Sequence, residues 1–215
     1  SIGTEKIYGS FSKLQKLTLR YVLKQADVVR LRDNHSQKII QELTGKVYPL
    51  VPDTAYGLEL DMWKRQNKQD IYVCPTWKDA ALAYGFYSDM EEYYEDFCKK
   101  IKSVIKNDER IFIFSTHKND LISVKDLYGY LTGRCSLKNV SVLSIETEDS
   151  LLEIMSKARV VIGGRMHSII ISHILRAEGY TINQNRKIRC FSESILPHPP
   201  ELILEELERS LDHVL

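Results

Sequence analysis

Arg165 and His167 stand two residues apart, directly after a glycine pair, in Ala-Arg-Val-Val-Ile-Gly-Gly-Arg-Met-His-Ser-Ile-Ile-Ile-Ser-His, residues 158–173. A guanidinium is a fixed-charge fork suited to carboxylate or phosphate, whereas an imidazole gains or loses a proton near neutral pH. Side by side they suit an anionic substrate that undergoes proton transfer. The plainer reading is an arginine that closes a turn and a histidine satisfied by backbone carbonyls. The pattern by itself does not choose between the two.

What must position this pair can be read from the residues around it. The β-branched run Val160–Ile162 predicts a buried strand, Gly163 and Gly164 break it, and the apolar stretch from Met166 to Leu175 predicts a helix. Ligands in open α/β sheets collect beyond the carboxyl ends of strands, and the first N–H groups of the next helix favour anions. Arg165 and His167 are expected at that place.

The rest of the chain supplies the sheet. Leu14, Leu17 and Tyr21 recur at helical spacing to about Gln25, Ala26–Arg32 alternates like a strand, and Ile39, Ile40 and Leu43 predict a second helix that Gly45 ends. Lys46–Val51 predicts another strand, with a turn at Pro52 and Asp53. Residues 54–69 lose periodicity and end polar, so a domain boundary is expected near residue 68. Five strand-like runs follow, 71–74, 111–115, 140–145, 160–162 and 180–182, separated by helical patterns of which Tyr94, Phe97, Ile101 and Val104 form the clearest. Leu204, Leu207, Leu211 and Val214 predict a closing amphipathic helix. Alternating strands and helices imply an α/β fold with a Rossmann-like parallel sheet in right-handed crossovers.

Bulk properties narrow the function. The 215 residues are 43% hydrophobic, enough for a folded soluble protein, and 30 Lys and Arg against 29 Asp and Glu leave a net charge of +1. That balance gives no reason to expect nucleic acid or a membrane surface as partner, so an anion site must be local. Pro75-Thr76-Trp77 follows the strand 71–74 where a dinucleotide-binding fold would carry Gly-x-Gly-x-x-Gly. No cofactor is therefore expected. Cys74, Cys98, Cys135 and Cys190 lack a CxxC pair, which predicts reduced, mostly buried thiols and no zinc. His173 lies six residues after His167, the wrong spacing for two ligands on one helical face, so no metal is expected. No apolar run approaches the roughly 20 residues needed to span a bilayer, and no signal peptide opens the chain, which predicts a cytoplasmic location.

Five features recur in one order: Ser1-Ile2-Gly3; Arg30-Leu31-Arg32-Asp33 with Ser36; Val51-Pro52-Asp53; Gly164-Arg165-Met166-His167-Ser168; and Lys187. Their order and spacing resemble the polysaccharide pyruvyl transferase family. Met166 stands where the family more often has Leu, and Arg186 beside Lys187 could be the equivalent cation. The resemblance implies a two-domain, glycosyltransferase-B-like architecture whose N-terminal domain is truncated here. Residues 1–68 would be the rear of that domain, and 69–215 a C-terminal donor-binding domain.

The resemblance further implies transfer of a pyruvyl group from phosphoenolpyruvate to two hydroxyls of a sugar, forming a ketal on an exopolysaccharide or its lipid-linked precursor. Any membrane contact would come through that acceptor. His167 and Arg165 are the implied catalytic residues; Arg32, Lys187, Asp53, Gly164 and Ser168 are implied to bind substrate. His117, after the strand 111–115, is a further candidate for the cleft. Plainer readings stand beside several of these: Asp33 as a helix cap, Arg32 in an ion pair, Asp53 as a turn residue, and Tyr93 and Tyr94 as packing. The alternatives are a nucleotide-sugar glycosyltransferase in which Arg165 binds diphosphate, and a non-catalytic fragment that binds sugar or anion.

Overall fold

The computed structural model describes residues 11–64, 67–106, 109–182 and 185–212. The Ser1-Ile2-Gly3 segment and Val214 lie outside them. Packing divides the chain into two compact units, residues 1–57 with 198–215, and residues 58–197. The line therefore falls at Gly57, before the expected position near residue 68, and the closing helix joins the first unit.

The second unit is an α/β layer structure. Strands β1 (Asp70–Cys74), β2 (Ile111–Ile113), β3 (Val140–Val142), β4 (Ala158–Gly163) and β5 (Glu178–Thr181) form one sheet in the order β3-β2-β1-β4-β5, and every pairing is parallel. Parallel strands need crossovers, which here carry helices α3 (Lys78–Leu82), α4 (Met90–Val104), α5 (Leu121–Gly133), α6 (Glu148–Ser156) and α7 (Met166–Ile174). Every residue of β1 is buried, as both-sided cover demands, and so are the β-branched residues of β4. Ile71, Val73, Ile113 and Ile162 meet Tyr93, Phe97 and Ile101 of α4 and Leu127 and Leu131 of α5 in the main core.

Local chemistry explains the helix limits. Asp89 accepts the Glu92 N–H at 2.9 Å to start α4, and Thr147 accepts the Ser150 N–H at 3.1 Å to start α6. Helix α8 (Arg186–Ser194), which the sequence pattern did not suggest, begins with Asn185 accepting the Ile188 N–H at 2.9 Å. It carries Lys187.

The first unit holds α1 (Lys13–Gln25), α2 (Asn34–Thr44), a 3-10 turn at Thr54–Gly57 and α9 (Pro200–Asp212), which packs on that turn. Gly45 ends α2 with φ of 74°, a conformation that suits glycine. The strands expected at 26–32 and 46–51 shrink to a single parallel bridge between Leu31 and Leu50. The Leu31 N–H donates to the Pro49 carbonyl at 3.0 Å and the Val51 N–H to the Leu31 carbonyl at 2.8 Å. Pro49 has no N–H to extend the ladder beyond the bridge.

The cysteines also differ from expectation. Cys98 of α4 and Cys135, just past α5, form a disulfide with Cα atoms 6.5 Å apart, whereas Cys74 and Cys190 are thiols. A helix pairing brings together two residues that their spacing of 37 does not mark as partners. No described helix is long and apolar enough to cross a membrane.

Candidate functional site

The strand order reverses beside β1. The chain runs outward from β1 to β2 and β3, then returns to place β4 on the other flank of β1 and β5 beyond it. Loops after β1 and β4 therefore diverge, and this crossing point is where α/β sheets open a crevice at their carboxyl edge.

The β4–α7 junction is built at that point. The Gly164 N–H donates to the Cys74 carbonyl at 2.8 Å, which holds the turn against the end of β1. A Cβ on Gly163 would lie 2.5 Å from Ser168 Oγ and 2.9 Å from Ile169 Cδ1, so only glycine lets α7 approach the strand this closely. Ser168 is buried and its hydroxyl donates to the Arg165 carbonyl at 2.6 Å, fixing the first turn of α7. Arg165 is the residue before the helix, and His167 lies exposed on its first turn.

A carboxylate anchors the guanidinium. Arg165 donates Nε–H to Asp120 Oδ2 at 3.0 Å and Nη2–H to Asp120 Oδ1 at 2.5 Å. Asp120 has no exposure, whereas the Arg165 side chain keeps 30%. Asp120 Oδ1 also accepts the Trp77 N–H at 3.0 Å. One carboxyl group thus joins the segments after β1, β2 and β4. Buried charge of this kind needs such pairing to persist.

The surrounding groups are neutral. Burial, helped by the negative charge of Asp120, pushes the Cys74 thiol up to about 12, so it stays protonated at neutral pH. Burial likewise raises the Tyr93 hydroxyl, which accepts the Thr76 N–H at 3.0 Å. Tyr93 and Tyr94 are buried among aromatic neighbours in the core. Thr76 Oγ1 is the one buried side-chain polar atom without a hydrogen bond among the described residues.

His117 follows β2 on the same edge and is exposed. Its Nδ1 accepts the Asn119 N–H at 3.2 Å, so the ring caps the turn that leads into Asp120. Lys187 is half-buried on α8, and Arg186 beside it is exposed.

Two more candidates meet in the first unit. Arg32 forms an ion pair with Asp53, and both are largely buried. Asp53 Oδ1 accepts the Ala55 N–H at 3.1 Å, and burial together with the Asp53 charge raises the hydroxyl of buried Tyr56. Asp33 caps α2, accepting the Ser36 N–H at 2.7 Å and the Ser36 hydroxyl at 2.9 Å. Arg32 and Asp53 therefore belong to one constellation; Arg165, Gly164 and Ser168 belong to another, with His167 on its helix.

Asp120 is the residue that sequence reasoning passed over. The available signal was an aspartate at the end of the segment that follows a strand, at the carboxyl edge of the sheet, just before the apolar helix from Leu121. Among the described residues Glu95, Cys98 and Cys135 form a group whose donor atoms lie within 4.8 Å of one another, but the two sulfurs are spent on the disulfide.

Residues 7–185 match the model of one protein family, polysaccharide pyruvyl transferase. No curated protein matches the chain. Solved structures with similar folds include UDP-GlcNAc 2-epimerase from Methanocaldococcus jannaschii, at 12% identity and a TM-score of 0.44, covering 92% of this chain and 53% of that one. Anabaena HepE, solved with UDP and glucose, is similar at 9% identity and a TM-score of 0.48, over 95% of this chain and 67% of that one. The wall teichoic acid polymerase TagF is similar at 14% identity and a TM-score of 0.42, over 98% and 58%. The chain thus spans between about half and two thirds of the length of these proteins.

Proposed function

From a chain that belongs to the polysaccharide pyruvyl transferase family, we propose a transferase that moves the pyruvyl group of phosphoenolpyruvate onto two hydroxyls of a sugar. The observation that carries the reading is the Arg165 guanidinium, held side-on by buried Asp120 at the head of α7, with His167 on the first turn.

The donor bears a phosphate and a carboxylate. Arg165 and the N-terminal amides of α7 supply the positive field that either group requires. A side-on pair with Asp120 uses two of the five guanidinium N–H groups and leaves three for ligand. Lys187 or Arg186 on α8 is a second cation for the donor, and the Arg32–Asp53 pair is assigned to substrate contact in the first unit.

A proton adds to the methylene carbon of the enol, turning it into a methyl group and leaving an oxocarbenium-like centre at the neighbouring carbon. One sugar hydroxyl attacks that centre and loses its proton. The second hydroxyl then forms its bond as the carbon–oxygen bond to phosphate breaks, and the ketal and free phosphate remain. Of the two hydroxyl protons, one replaces that spent on the methyl group and one leaves with phosphate. His167 is exposed on the first turn of α7, and an imidazole can both give and accept a proton, so it is the assigned acid or base.

The test is incubation of the chain with phosphoenolpyruvate and a panel of lipid-linked or nitrophenyl sugars. Phosphate release together with a ketal-bearing product supports the reading. Turnover confined to nucleotide sugars would replace it with glycosyl transfer.

A further inference from the structure

We propose that Asp120 is the positioning residue of the donor-binding arginine, acting through Arg165 and not on substrate. This rests on the reading of Arg165 as the donor's cation given above. The carboxylate is wholly buried, yet its acceptors serve no hydrogen bond on its own helix: Asp120 stands at the start of α5 without capping it. It is spent on Arg165, through both oxygens, and on the Trp77 N–H. An aspartate at a helix start ordinarily turns back to the helix amides. Here that stabilisation is forgone, and the carboxylate faces the crossing point of the sheet.

The geometry has a consequence for recognition. An arginine side chain is long and rotamer-rich, and an unanchored one loses that freedom each time it binds. Asp120 removes the freedom beforehand and selects which guanidinium edge meets the ligand, because Nε and one side of Nη2 are already taken. His117 caps the turn through the Asn119 N–H and Tyr93 holds the Thr76 N–H, so the segments bearing Asp120 and Trp77 are each fixed in turn.

A purely structural carboxylate would tie the three segments without regard to ligand, and a double-mutant comparison separates the two roles. Phosphoenolpyruvate binding is measured by calorimetry on the full chain as wild type, Asp120→Asn, Arg165→Ala and the double variant, with thermal melting in parallel. Asp120→Asn is expected to weaken binding about ten- to a hundredfold in the wild-type background. In the Arg165→Ala background it should weaken binding no further. Equal weakening in both backgrounds, or unchanged binding with a lowered Tm, would overturn the proposal.

Should Asp120→Asn fail to fold, Asp120→Glu retains the charge while displacing the carboxylate by one methylene. It is read in the same two backgrounds and by the same criterion. If the wild type binds inorganic phosphate but not phosphoenolpyruvate, the donor reading falls, and Asp120 is judged with phosphate as the probe. If the wild type binds neither, Arg165 is no anion site and both readings fall.

Discussion

Asp120 and Arg165, 45 residues apart in the chain, meet through two hydrogen bonds at 3.0 and 2.5 Å, with the carboxylate buried and the guanidinium partly open. The pair ties a cation at a helix start to a buried acceptor. It also makes the site sensitive to substitutions that preserve charge but not shape.

Arg165→Lys is the first such test. Lysine keeps the positive charge but cannot grip both Asp120 oxygens or present a planar edge to a phosphate. The KM for phosphoenolpyruvate should rise by about ten- to a hundredfold, the worth of one or two charge-assisted bonds. Steady-state phosphate release measures it, and an unaltered KM would remove Arg165 from donor binding.

His167→Ala should behave differently. The side chain is exposed on the first turn of α7, so its loss should leave the melting temperature nearly unchanged. If His167 transfers the proton, turnover should drop by about 10²–10⁴-fold. Single-turnover phosphate release with parallel thermal melting reads both quantities. A variant that unfolds instead would show the imidazole to be a structural element.

Gly163→Ala probes the strand-to-helix contact. The new Cβ would lie 2.5 Å from Ser168 Oγ and 2.9 Å from Ile169 Cδ1, and α7 must shift to accommodate it. Overpacking of this kind costs about 1–3 kcal/mol. Because Ser168 is bonded to the Arg165 carbonyl at 2.6 Å, the shift should reach donor binding too. Urea denaturation and phosphoenolpyruvate titration should therefore both respond; an unaffected midpoint would mean that α7 yields without cost.

What was legible in the sequence is what local chemistry encodes. Val160–Ile162, the glycine pair and the apolar run from Met166 led directly to β4, the turn and α7, and the spacing of Tyr94, Phe97 and Ile101 led to α4. Asp33 read as a cap and is one. What stayed hidden depends on partners remote in sequence. Periodicity around Asp120 carries no information about Arg165, nor does Cys98 announce Cys135 across 37 residues. Residues 26–32 and 46–51 read as strands because pattern records which side chains can be buried; it does not record that Pro49 withholds a donor a longer ladder needs.

The opposite edge of the sheet supplies a pH test. Arg159, near the start of β4, donates to both carboxylate oxygens of Glu109, Nη2 to Oε2 at 2.7 Å, and to the Val104 carbonyl at 2.8 Å. Both charged side chains are largely buried, at 18% and 11% exposure. Hydrogen bonding from Arg159 holds the Glu109 carboxyl below its ordinary value of 4.5 against the opposing effect of burial. The folded state thus binds the proton less readily than the unfolded chain. The stabilisation is present in full above the unfolded value and is lost as pH falls through the lower, folded one. Glu109→Gln should cost about 1–2 kcal/mol at neutral pH, in line with a hydrogen bond to a charged group. Below pH 4.5 the gap between variant and wild type should close, as the wild-type carboxyl takes up its proton. Urea midpoints across an acid pH series measure this, and a gap that stays constant with pH would show that the pair contributes by packing and not by charge.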